Sequence, residues 1–207
     1  MQLTSFKPLT IFPAWNGTSV FAQMGETPTL PATAATWGQA FSLPPGHRVL
    51  RTYSYWLSDS PVFYPDPLDF AAYLMQWNGQ RATGPILYQS AVQTIDGVAH
   101  GEFRRFDFRI NRNLDPGNQY IFFISNSQFF DGIPSMAFPA GLAADIDPSS
   151  HLVNLDNESD FTQITTTSWH QTPQWDMVFE ARFDIIPTPT AAVLGAAAFV
   201  LLIKRRR

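Results

Sequence analysis

Asp156, Glu158 and Asp160 alternate within LDNESDF (155–161), with Asn157 between the first two. A loop of that pattern can aim several oxygens at one hard cation, and Ca²⁺ is the ion it would take. Asp145 and Asp147 lie near enough in sequence to assist. Against this, Phe161 stands where an EF-hand loop needs its glycine, and a solvated acidic loop explains the same residues. The four histidines, His47, His100, His151 and His170, are scattered and match no metal-ligand spacing such as HExxH. There is no Gly-x-Ser-x-Gly elbow and no phosphate loop, and no catalytic residue is assigned. Glycoside hydrolysis needs two carboxyl groups facing each other across a cleft. Acidic residues here fall mostly singly in turns or on outward strand positions, so an extracellular glycan hydrolase is the alternative reading.

Aromatic side chains are the other chemical resource. Trp37, Trp56, Trp77, Trp169 and Trp175 fall on or near strand ends. A sugar's apolar C–H face stacks on an exposed aromatic ring, whereas a sandwich interior must be filled by such rings. Core packing is the expected fate of most of them. Trp77 is the one expected to be exposed, because it precedes an Asn78-Gly79 turn. Asn78, Gln80 and Arg81 would then supply polar contacts to a glycan.

These residues need strands to hold them. Phe106, Phe108 and Ile110 alternate with Asp107 and Arg109, the period of a half-buried strand. In WDMVFEARFDI (175–185), Met177, Phe179, Ala181, Phe183 and Ile185 alternate with Val178, Glu180, Arg182 and Asp184. VLRTYSYWL (49–57) is rich in β-branched and aromatic residues, and LDFAAYLMQW (68–77) leads into Asn-Gly, a strong hairpin signal. Neither heptads nor internal repeats occur. Short strands separated by frequent turns predict an all-β fold, a two-sheet β-sandwich of jelly-roll-like form, with an open barrel as the alternative. The expected organisation is an irregular segment over 1–35, the sandwich over 36–185, and a tail over 186–207. Residues 126–172, rich in Ser, Asn, Asp and Pro, read as less ordered.

Composition sets the environment. The 207 residues include 17 Pro, 18 Phe and no Cys, so disulfides, thiolate catalysis and Cys-based zinc sites are excluded. Four of the 13 cations are Lys204, Arg205, Arg206 and Arg207; without them nine cations face 17 acidic residues, a balance of −8. An acidic body is the wrong partner for nucleic acid. The apolar run Ala191–Ile203 before those cations has no polar face and is read as a short C-terminal transmembrane helix, lengthened by snorkelling cations. Cations after it would remain in the cytoplasm and place the body outside. The segment at Met1 lacks an unbroken apolar run, so an export signal is expected upstream of Met1.

Pro187-Thr188-Pro189, the Ala/Gly/Leu-rich run and the terminal arginines together resemble the PEP-CTERM sorting signal, with Thr188 where Glu is usual. The resemblance implies an exosortase-type sorting enzyme as partner, transient anchoring in the inner membrane, and delivery to the cell surface or an exopolysaccharide matrix. A plain tail-anchored protein without processing is the other option. A fainter likeness joins WNGTSV, TWGQAFSLPPGHRVL, FAAYLMQWNGQRATGPILYQS and LDPGNQYIFFIS to exported PEP-CTERM proteins of no assigned activity, whose order of parts is similar to carbohydrate-binding sandwiches.

Overall fold

The computed structural model describes residues 6–10, 23–26, 33–43, 46–59, 66–98, 102–142 and 150–185. The tail, including Pro187, Thr188, Pro189 and Lys204 to Arg207, lies outside them, as do Asp145 and Asp147. Among the described residues no helix is long and apolar enough to cross a membrane.

The fold is all-β and is built from two sheets packed face to face. The first runs, in spatial order, β1 (Phe6–Thr10), β16 (Phe179–Ile185), β5 (His47–Asp59), β11 (Ser135–Pro139), β2 (Gln23–Glu26) and β3 (Thr33–Ala34), with β9 (Arg104–Asn113) also on β5. The second runs β14 (His170–Thr172), β13 (Ser150–Leu155), β4 (Thr36–Ser42), β10 (Gln119–Ser125), β6 (Leu68–Trp77) and β7 (Ala82–Gln89), with β8 (Gln93–Ile95) on β6. A small pair, β12 (Gly141–Leu142) with β15 (Asp176–Met177), completes the strands. From β4 to β6 the chain alternates between sheets, and it does so again from β9 through β10 to β11. Two expectations are corrected. Residues 1–35 hold three strands that join the first sheet, and 126–172 contributes β11 to β14.

The interior between the sheets is aromatic. Tyr53 stacks on Phe122 with centroids 4.2 Å apart and on Phe179 at 5.1 Å. Tyr55 donates its hydroxyl to the Phe122 carbonyl, and burial pushes that phenol's pKa well up. Removing one such ring from water is worth about 1.5–3 kcal/mol, and the sheets share many of them. The alternation read in 104–110 and 179–183 holds: Phe106, Phe108, Ile110, Phe179, Ala181 and Phe183 are buried in this core.

The second sheet is covered on its other face as well. Ala71, Tyr73, Met75 and Trp77 of β6, with Ile121 and Phe123 of β10, pack beneath a strap formed by residues 156–169. That strap contains one helical turn, α1 (Gln163–Thr166), and delivers Ile164 and Trp169 into the layer. Double burial explains why LDFAAYLMQW is a near-continuous apolar run rather than an alternating one. On β4 the outward position beneath this layer is Gly38, where a Cβ would sit 2.7 Å from Phe123 Cβ.

Candidate functional site

Among the described strands, β9 pairs only with β5 and β7 only with β6, so each is a sheet edge on the same side of the sandwich. Both edges are irregular at the same level. Opposite Arg51, the chain of β9 carries two residues, Ile110 and Asn111, while β16 offers Arg51 no partner at all. Asn111 accordingly has φ +49°, a left-handed conformation that a non-glycine residue rarely adopts. On β7 the register jumps from Thr83 to Tyr88 against Gln76 and Leu74, looping out Gly84, Pro85, Ile86 and Leu87. Gly84 supplies φ +70° for that excursion.

The two bulges face each other across an open cleft of about 510 Å³ lined by Val49, Arg51, Ile86, Leu87, Asn111, Arg112 and Asn113. A volume of this size fits one small ligand or one unit of a longer one. Arg51 is positioned rather than free: its Nε donates to Asp184 Oδ2 at 2.5 Å and its Nη1 to Asn111 Oδ1 at 3.3 Å. Arg112 is exposed and has no ion-pair or hydrogen-bond partner among the described residues. The lining therefore offers guanidinium and amide donors, an apolar rim at Ile86 and Leu87, and no carboxylate. It is suited to an oxygen-rich ligand with an apolar face.

A second polar constellation occupies the outer face of the first sheet. Glu180, Ser54 and Asp107 stand in one cross-strand row. Arg105 bridges the two carboxylates, with Nε 2.6 Å from Asp107 Oδ1 and Nη1 2.9 Å from Glu180 Oε2. Its guanidinium lies 5.0 Å from the centroid of the Trp56 ring. Partial burial pushes the Asp107 carboxyl up, but the Ser54 hydroxyl and Arg105 outweigh it and hold it below the usual range. That is the opposite of what a glycosidase acid needs. Because the folded-state pKa is the lower one, the network's stabilisation is present above the ordinary carboxylate range near pH ~3.9 and is lost as pH falls through the folded value. Asp107→Asn should therefore cost stability near neutrality, by under about 1 kcal/mol given its exposure, and less at pH ~2.5. Urea titrations of both proteins at the two pH values check this; a gap that widens in acid contradicts it.

The sequence-predicted sugar platform is not formed. Trp77 is only 4% exposed and meets Trp169 edge-to-face at 5.8 Å. Its neighbours in the turn hold the strap down. The Asn78 side chain accepts from the Gln80 and Arg81 amides, the Gln80 carbonyl accepts from Trp169 N–H at 2.9 Å, and Arg81 Nη1 donates to the Thr166 carbonyl at 3.2 Å. The hairpin itself is as expected, with Gly79 at φ +92°. The correction concerns what covers it.

The calcium reading of 155–161 is also corrected. Asn157 turns inward, where its Oδ1 accepts from Thr36 Oγ1 at 2.8 Å. Asp160 spends its carboxylate on the Thr162 amide and hydroxyl and on Gln163 Nε2, and the Thr162 bonds hold its pKa down. Glu158 sits at φ +40°, and burial and then the Glu158 charge raise the Asp156 pKa. Among the described residues no group of three or more His, Cys, Asp or Glu could hold a metal ion. The run LDNESDF is the entry to the strap.

Sequence reasoning missed the cleft. Its signals were a Gly-Pro inside a strand and the break in alternation after Ile110, both marks of a bulge.

No family model matches the chain, and no curated protein does. One solved structure to which it is similar is titled "Structure of infectious bursal disease virus Gt strain", at 12% identity and a TM-score of 0.36, covering 99% of this chain and 48% of that one. The chain thus spans about half the length of that structure.

Proposed function

We propose that this is an exported bacterial protein, sorted through residues 187–207 to the cell surface or an exopolysaccharide matrix, whose jelly-roll-like body is a non-catalytic module that binds glycans. The order of parts in the tail carries the reading: Pro187-Thr188-Pro189, then Ala191–Ile203, then Lys204 to Arg207. An exosortase-type enzyme and the inner membrane are the partners that order calls for. Repeated passage of the chain from one sheet to the other supports the jelly-roll-like reading. The cleft between the β7 and β9 bulges supports the binding reading, since rigid sheet edges hold its donors in place.

The test is to express the tagged full chain, preceded by an export signal, in a host with an exosortase, and to follow it by fractionation and intact-mass spectrometry. The expected result is a surface or medium form shortened near residue 187, and membrane retention of the uncleaved chain when Pro187, Thr188 and Pro189 are all replaced by Ala. An unshortened wild-type chain in the membrane would leave a simple tail anchor instead. Release of soluble fragments from host matrix polymer by the purified protein would move the body to the hydrolases.

A further inference from the structure

We infer that the cleft between the β7 and β9 edges is a binding site for a carboxylate-bearing sugar unit, anchored by Arg112. This rests on reading the body as a glycan-binding module and is independent of what the tail does. Arg112 stands opposite Leu50, whose side chain is fully buried in the interior, so the register aims Arg112 at the mouth between the sheets and away from the outer charged face. Among the described residues it is the cation of the cleft with no carboxylate partner; Arg51 is already matched by Asp184. A planar guanidinium meets a carboxylate through two parallel N–H···O bonds, which a neutral hexose cannot reproduce.

The remaining lining completes a sugar rather than a bare anion. Asn111, in the bulge, presents an amide to hydroxyl groups, and Ile86, 43% exposed on the looped-out segment, offers an apolar surface to the C–H face of a ring. Among the described strands β9 is a sheet edge, and such an edge can take a chain lying along it. A cationic cleft on a body of net −8 also gives selectivity. The net negative body disfavours a polyanion over most of its surface, so the cleft cation adds selectivity to whatever contacts the rest of the lining makes.

The experiment is calorimetric titration of the full chain in detergent micelles with trigalacturonate, a hyaluronate hexamer, methyl-esterified trigalacturonate, maltotriose and dextran sulfate. The wild-type protein should bind a uronate oligomer and bind the ester far less. Arg112→Ala should weaken uronate binding about 10- to 100-fold, the worth of hydrogen bonds to a charged group. Arg104→Ala, which removes an equal charge at the opposite end of β9, should change it less than about twofold. Equal binding of acid and ester, equal loss in both variants, or dextran sulfate binding in preference to the uronates would overturn the proposal. Maltotriose binding without uronate binding would sink the proposal and leave the glycan-module reading standing. Silence from every glycan would end both.

Discussion

Trp77→Ala should destabilise the protein by about 3–5 kcal/mol, the range for removing a large ring from a packed interior. The indole closes the end of the layer between the second sheet and the strap, against Trp169 and near His151, with its ring 5.8 Å from the one and 6.4 Å from the other. Its removal leaves a void that the strap cannot fill, because Arg81 and Gln80 pin the strap at either side of the turn. The indole N–H is buried and has no acceptor among the described residues. Trp77→Phe therefore gives up an unsatisfied donor while keeping most of the packing, and its cost should stay below about 1.5 kcal/mol. Urea denaturation followed by near-ultraviolet circular dichroism measures both. An Ala variant within about 1 kcal/mol of wild type would mean that the ring is not part of the fold's support.

Gln39→Leu should cost about 2–4 kcal/mol although the two side chains are close in size. Gln39 is fully buried, and its amide donates to Ser150 Oγ at 3.0 Å and to the Asp176 carboxylate, while its Oε1 accepts from the Met177 amide at 2.8 Å. It ties β4, β13 and β15 together at the end of the interior. Leucine would leave a buried carboxylate and a buried peptide N–H each short of a partner. Asp176→Leu alone should be similarly costly, and the two together should cost clearly less than the sum, since the buried carboxylate is then no longer left short of its donor and only the Met177 N–H and the Ser150 hydroxyl lose partners. Additive losses in that double-mutant cycle would show that the three groups do not act as a unit.

The fold class was legible because alternation and turn chemistry are local. Phe106, Phe108 and Ile110 face inward as their spacing requires, and Asn78-Gly79 makes its hairpin. What failed was long-range. Nothing near Trp77 announces that a segment more than 80 residues away lies over it, as the separation of 85 between Arg81 and Thr166 records. The same cover turned a promising acidic loop into the strap's first turn. The cleft was half legible: Gly84-Pro85 and the run Asn111-Arg112-Asn113 each mark an irregular strand, but only the tertiary fold brings the two irregularities face to face. The early strand Phe6–Thr10 was hidden by Pro8, which is tolerated because β1 is the edge of its sheet.

The last strand before the tail is not an edge. β16 lies between β1 and β5, with five register positions against the first and seven against the second. A pull transmitted through residue 186 along the strand axis loads both ladders in shear, so their rungs must yield together rather than unzip one at a time. Such a body tethered at that point would resist drag through slow rupture, with a lifetime under load set by the unfolding barrier more than by equilibrium stability.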